Sequence, residues 1–297
     1  MLKRAIYISN LASLSVKNNQ LIISPKDTTC PPNSIPIEDL GYVIIEHQQT
    51  TITIPTLNAL SNDNVAVVFC GQNMMPCSML MNLDTCTMQG ERYRYQIEAS
   101  VPIKKQLWQQ IITAKIKNQS RLLTKLGKNG QKLAQLYTNV KSGDADNKEG
   151  IAARIYWKEL FGPDFSRSRE GSPPNNLLNY GYTILRAAVA RGLMGSGLFP
   201  AFGVFHRNRS NAFPLADDMM EPYRPYVDEI VYHLHENGVE DLDKDVKAQI
   251  VRLLFSDTHF KNVTRPMDIG ITFSCASLAK FFAGTAKKLN FPEINTG

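Results

Sequence analysis

The chain has 297 residues, a formal net charge of +6 and an apolar fraction of 43%, with 13 Phe, 11 Tyr and 2 Trp. This composition supplies a sizeable buried core and excludes intrinsic disorder, collagen-like repeats and coiled coil. The basic excess points to an anionic partner, nucleic acid first.

The first residues read as strands. Lys3 and Arg4 precede a short apolar run, but Ser9, Asn10, Ser13 and Ser15 interrupt it and no cleavage site follows. The N-terminus is therefore read as a β-strand of a cytoplasmic protein, not as a signal peptide. Residues 4–9 and 20–24 are expected to form a hairpin around the turn signal Asn18-Asn19. Residues 31–36 are a loop, residues 42–46 a strand that 51–54 extend, and Pro55 opens a short helix through Leu60. Residues 65–70 are a fully apolar, buried strand that Gly71 stops.

The texture changes near residues 83–92. Beyond it, Ile103, Leu107 and Ile111, and beside them Trp108, Ile112 and Ile116, recur at four-residue spacing on one face of a long helix. A second helix is expected over 122–140, interrupted by a turn at Gly127–Gly130, and then helices at about 148–161, 176–195, 214–238, 244–255 and 275–288. Residues 292–297 read as a loose tail. The fold class is α+β: a small N-terminal β-sheet or β-sandwich domain (1–85), then a larger, mostly α-helical catalytic domain (86–297). The longest uncharged apolar stretch, residues 192–205, is short and broken by glycines and a proline, so no membrane span is expected. The five cysteines are odd in number and never spaced Cys-x-x-Cys, which argues for ordinary reduced thiols.

Residues 99–141 hold nine cations and no acid: Lys104, Lys105, Lys115, Lys117, Arg121, Lys125, Lys128, Lys132 and Lys141. A solvated helix face normally mixes charge signs. This stretch is read as a phosphate-backbone contact, which carries affinity and salt dependence rather than sequence readout.

Three segments carry candidate chemistry. Glu149 opens a helix whose next turns are small, Gly150, Ala152 and Ala153; alone it reads as a complement to the helix dipole. His206 ends an apolar loop rich in Gly and Pro; a lone histidine there is more often a packed residue than a ligand. Asp218 and Glu221, three apart, share a helix face, with Asp217 off it; they suit a hard cation or, equally, the helix N-terminus. A histidine with several carboxylates suits Mg²⁺ or Mn²⁺ better than structural zinc. A divalent ion beside a basic surface suggests phosphodiester chemistry. Spacing alone does not select these residues among 27 acids.

Together, the segments resemble the CRISPR-associated integrase family, the first-numbered Cas protein of the adaptation module. The matching stretches begin at Glu149-Gly150, Gly197-Leu198 and Leu215-Ala216-Asp217-Asp218; the last runs through Glu221-Pro222-Tyr223-Arg224-Pro225. Tyr7-Ile8-Ser9, Leu21-Ile22-Ile23 and the 65–70 strand fit that family's β domain, and Leu107-Trp108-Gln109-Gln110-Ile111 fits its first long helix. The length and the Met-Glu-Pro-Tyr-Arg-Pro wording are similar to members from type II systems. The resemblance implies a metal site for Mg²⁺ or Mn²⁺ held by Glu149, His206 and Glu221, with Asp218 supporting. It implies a homodimer made through the β domain and a heterohexameric integration complex with the small second-numbered Cas protein. The implied reaction is insertion of prespacer DNA into the CRISPR repeat array, an antiviral adaptation step. DNA would be gripped by Lys104, Lys105, Lys115, Lys117 and Arg121; Tyr180 and Tyr182 would stack bases or simply pack. A general Mg²⁺- or Mn²⁺-dependent nuclease on branched DNA and a non-catalytic nucleic-acid scaffold are the alternatives.

Overall fold

The computed structural model describes residues 3–27, 29–82, 86–168, 171–206 and 208–296. The N-terminal part runs β1 (Arg4–Ile8), β2 (Ala12–Lys17), β3 (Gln20–Pro25), β4 (Asn33–Pro36), β5 (Leu40–Ile45), β6 (Thr51–Ile52), α1 (Ile54–Asn62), β7 (Ala66–Cys70) and β8 (Pro76–Leu80). Two four-stranded sheets result, ordered β1-β5-β7-β8 and β4-β3-β2-β6. The Asn18-Asn19 turn joins β2 to β3, and β1 pairs in parallel with β5 instead. The expected hairpin partner was wrong because β2 alternates serines with apolar residues: Ala12 and Leu14 are buried while Ser13 and Ser15 are not. Both asparagines take positive φ, 51° and 56°, as a two-residue hairpin turn of matching twist requires.

β5 and β7 are central strands buried on both faces. Leu40, Val43, Ile45 and Val67 join Leu14 and Leu21 in a core between the two sheets. Tyr42, Ile44, Ala66, Val68 and Cys70 join the core of the helical part. Burial on two sides is the reason residues 65–70 read as an unbroken apolar run.

The helical part runs α2 (Gln89–Glu98), α3 (Val101–Lys125), α4 (Gln131–Tyr137), α5 (Lys148–Phe161), α6 (Asn175–Gly195), α7 (Pro214–Met220), α8 (Arg224–Glu236) and α9 (Lys244–Arg252), then the hairpin β9 (Asp257–Phe260) and β10 (Val263–Pro266), and α10 (Met267–Phe282). The strand-rich region followed by a helical region is the expected fold class. Residues 83–85, where the sequence changes texture, lie outside the described residues.

Several boundaries differ from expectation. α3 continues through Lys125, and α4 is a short separate helix after the Gly127–Gly130 turn. The single helix expected over 214–238 is divided by a 3-10 turn at Glu221–Tyr223, where Pro222 and Pro225 withhold backbone donors. α10 starts eight residues before the expected 275, directly after Pro266, and ends ahead of Gly284, whose φ is 72°. The C-terminal segment is tied down: Ile294 is buried, its N–H donates to Asn118 Oδ1 (3.1 Å), and Arg121 Nη1 donates to its carbonyl (2.8 Å). Gly297 lies outside the described residues. Among the described residues, no helix is long and apolar enough to cross a membrane.

Candidate active site

α3 is the axis of the site. Its buried face carries Leu107, Trp108, Ile111, Ile112, Ile116, Leu122 and Leu123, and within that apolar face lies Lys115. Asn118, one turn on, donates to the carbonyls of Pro222 (2.8 Å) and Pro292 (3.0 Å), which locks the Glu221–Tyr223 turn onto α3.

α5 delivers Glu149. Asp144, in the turn before it, accepts the backbone N–H groups of Lys148 (2.8 Å) and Glu149 (3.0 Å), and Asn147 caps Gly150 N–H (3.2 Å). These contacts satisfy donors that every helix start leaves open. Gly150 lets the Asn147 amide sit close, since a Cβ there would meet it at 2.8 Å.

The loop after α6 delivers His206. Gln96 of α2 is buried and clasps Phe199 reciprocally, donating to its carbonyl (3.2 Å) and accepting its N–H (2.9 Å). Gly203 packs so closely that a Cβ would lie 2.5 Å from the His206 carbonyl and 2.8 Å from Pro214 Cβ. Phe205 stacks flat on Trp108, ring centroids 4.1 Å apart, and His206 meets Trp108 edge-on at 5.7 Å. Asp218, fully buried on α7, accepts the N–H groups of Val204 (2.6 Å), Phe205 (3.1 Å) and His206 (3.2 Å) and contacts His206 Nδ1 at 2.7 Å. Its carboxylate is thus engaged in holding the loop, and Nε2 is the ring nitrogen of His206 turned to other use. Arg207 lies outside the described residues.

Glu221 comes from the 3-10 turn. Lys115 Nζ lies 2.6 Å from Glu221 Oε2 and 2.6 Å from Glu149 Oε1, while Arg224 Nε lies 3.0 Å from Glu221 Oε1. Glu221 Oε2 is buried, with the Lys115 ammonium as its close partner. Burial works against the charge on Glu221, yet Arg224 and Lys115 hold its carboxyl below the usual glutamate range. Burial likewise opposes the charge on Lys115, and Glu221 and Glu149 outweigh it, raising the ammonium above the usual lysine range. The Asp218 hydrogen bond raises His206, against its burial and with help from Glu221.

Beside these groups opens a polar groove of about 830 Å³ lined by Arg167, Asn179, Tyr182, Arg186, His206 and Arg224. Behind it, buried Asp228 accepts the hydroxyls of Tyr156 (2.7 Å) and Tyr182, and the Tyr182 ring carries the guanidiniums of Arg224 at 4.6 Å and Arg167 at 5.1 Å.

The structure therefore brings Glu149, Glu221 and Lys115 into contact and sets His206 with Asp218 alongside. Lys115 is an interior counter-ion of the site, not an exposed phosphate contact. Tyr180 is fully buried and packs in the core, while Tyr182, nearly buried, forms part of the groove wall with its hydroxyl held by Asp228. Of the nine cations in residues 99–141, five are ion-paired, four of them by acids remote in sequence: Lys115 with Glu221, Lys117 and Arg121 with Glu293, and Lys125 with Glu229. Lys104, Lys105, Lys128 and Lys132 have no ion-pair partner among the described residues. Sequence reasoning missed Gln96 and Asp144, and it placed Lys115 on the wrong surface.

The donor chemistry fits a hard divalent cation: two carboxylates that already converge on one positive charge, and an imidazole nitrogen. Among the described residues, no three His, Cys, Asp or Glu side chains stand close enough together to hold a metal as they are. The ammonium of Lys115 stands between two of the donors.

The sequence pattern of the family described as CRISPR associated protein Cas1 matches residues 6–267. The chain belongs to the Cas1 family. The CRISPR-associated endonuclease Cas1 of Neisseria meningitidis serogroup C (strain 8013) is 35% identical over 300 residues, spanning 98% of this chain and 96% of the relative. A Cas1 endonuclease of Francisella tularensis subsp. novicida (strain U112) is 26% identical over 306 residues, spanning 95% and 88%. Among solved structures, a casposase bound to integration product superposes with TM-score 0.82 at 21% identity, covering 100% of this chain and 95% of that one. A Cas1 protein from Thermotoga maritima gives 0.74 at 17% identity, covering 95% and 97%. These likenesses establish the Cas1 fold and agree with the resemblance read from the residues.

Proposed function

We propose that this Cas1-family chain is a metal-dependent DNA integrase that joins prespacer DNA to a CRISPR repeat by transesterification. The observation that carries this reading is the convergence of Glu149 and Glu221, from two separate elements, on a single positive charge beside His206. Glu149, His206 and Glu221 would hold Mg²⁺ or Mn²⁺, with Asp218 positioning His206. The bound ion would supply Lewis-acid activation of a 3′-hydroxyl and neutralise charge on the attacked phosphate. Arg224 and Arg167 line the groove in which that phosphodiester would lie. Lys104 and Lys105 of α3, Lys132 of α4 and Lys128 in the turn between them would grip the duplex backbone.

Partner and assembly follow the same reading: a homodimer through the strand-rich region, joined to a small second-numbered Cas protein in a heterohexamer, in the cytoplasm of a cell with a type II system. Structural neighbours that include a Cas6-RT-Cas1–Cas2 complex and a Cas1–DNA complex support DNA and that partner.

The test is strand transfer of labelled prespacer into a repeat-bearing plasmid, with Mg²⁺ or Mn²⁺ and with EDTA, using the wild type, Glu149→Ala, His206→Ala and Glu221→Ala. Metal-dependent joining lost in all three variants is the expected result. Cleavage of branched DNA without joining would indicate the general nuclease, and DNA binding indifferent to all three substitutions would indicate a scaffold.

A further inference from the structure

Lys115 is an unusual residue to find in a buried apolar helix face. Its side chain is 9% exposed, and it touches the two carboxylates expected to hold the metal. Glu149 and Glu221 contribute two negative charges, and Lys115 and Arg224 contribute two positive ones. The pocket is therefore charge-balanced before any metal enters. Two carboxylates facing each other in a poorly solvated site repel, and an interposed cation removes that repulsion. A divalent cation bound by both carboxylates occupies the same space and supplies the same attraction. Ammonium and metal are then alternative occupants.

We infer that Lys115 is a resident counter-ion that keeps Glu149 and Glu221 together in the metal-free protein and is displaced when the metal binds. The inference rests on the metal-dependent reading above. Glu221 is 6% exposed and Glu149 33% exposed, so the side open to solvent is that of Glu149. The displaced ammonium leaves past Glu149, toward solvent. Lys115 thus acts as a positioning residue in the metal-free site and becomes a solvent-facing cation in the loaded one. Because it competes for the carboxylates, it lowers metal affinity and keeps the site intact without metal.

The experiment is calorimetric titration of the full-length protein with Mn²⁺ alone, comparing wild type with Lys115→Met. Lys115→Met is expected to bind Mn²⁺ tighter by roughly tenfold or more, because a competing positive charge in direct contact has been removed. Its metal-free thermal midpoint is expected to fall below that of wild type, with a larger rise on adding Mn²⁺. A folded Lys115→Met protein that binds Mn²⁺ no tighter than wild type would overturn the inference while leaving metal dependence standing. Absence of Mn²⁺ binding in both proteins would overturn both. Wild-type protein gives a second measurement independent of how the variant folds: amine-reactive labelling mapped by mass spectrometry. Lys115 is expected to label slowly without metal and several-fold faster with Mn²⁺; unchanged labelling in Mn²⁺-bound protein would also overturn the inference.

Discussion

His206 Nδ1 lies 2.7 Å from Asp218 Oδ1, and the carboxylate that makes this contact also accepts the backbone N–H of His206 itself. One buried side chain thereby sets the ring's tautomer, its orientation and the path of the loop that carries it. Asp218→Ala leaves three backbone donors and the imidazole without their acceptor. Its expected cost is on the order of 3 kcal/mol in urea denaturation. Strand transfer should fall with Glu149, His206 and Glu221 all in place. Full activity in Asp218→Ala would show that the loop finds its geometry without this anchor.

Asp144 plays the corresponding part for Glu149. Asp144→Ala removes the acceptor for two N–H groups at the start of α5. A loss of about 1–2 kcal/mol is expected from the missing cap. Activity should drop more than this stability loss explains, because Glu149 is then held by a frayed turn. The check is to compare strand transfer with circular dichroism at a temperature where the variant remains folded.

Burial pushes Asp228 up to about 6, against the pull of the Tyr182 and Tyr156 hydroxyls and the Arg224 and Arg167 charges. The folded protein thus keeps a proton that the unfolded chain, with a carboxyl near 3.8, has released. Stability falls with rising pH wherever the folded state binds more protons, so Asp228 withdraws stability between pH 3.8 and about 6 and no more above it. Asp228→Asn lacks this titration. Relative to wild type, its stability should rise across that window by on the order of 3 kcal/mol. Parallel pH profiles of the two proteins in denaturant titrations would refute the assignment.

Glu46, in the strand-rich part, forms a buried ion pair with Lys247 of α9. Removing one partner strands a charge in the interior, so Glu46→Gln or Lys247→Met should each lower stability by about 3 kcal/mol. Replacing both with apolar residues should recover most of that loss. A double variant no more stable than either single would mean that the pair contributes more than mutual neutralisation.

The order of strand-rich and helical regions was legible because β5 and β7 are apolar throughout while α3 shows rows at four-residue spacing. The rows also held information that charge counting concealed. Ile103, Leu107, Ile111 and Lys115 form one continuous four-residue row, so the lysine follows the buried stripe. Its place among nine cations suggested the opposite surface. The counter-charges that pair Lys117, Arg121 and Lys125 come from Glu293 and Glu229, more than a hundred residues away in sequence, so no local count could reveal them. Glu149, His206 and Glu221 could be selected only through the family resemblance. Gln96 carried no signal, because one glutamine in a polar helix does not announce that it will clasp a loop a hundred residues later.

β5 alternates between two interiors, with Val43 and Ile45 on one side and Tyr42 and Ile44 on the other. A cut made after the strands would strip the helices of a sheet face they need, and a strand-only fragment would present the same apolar face to water. The two regions should therefore melt in a single transition.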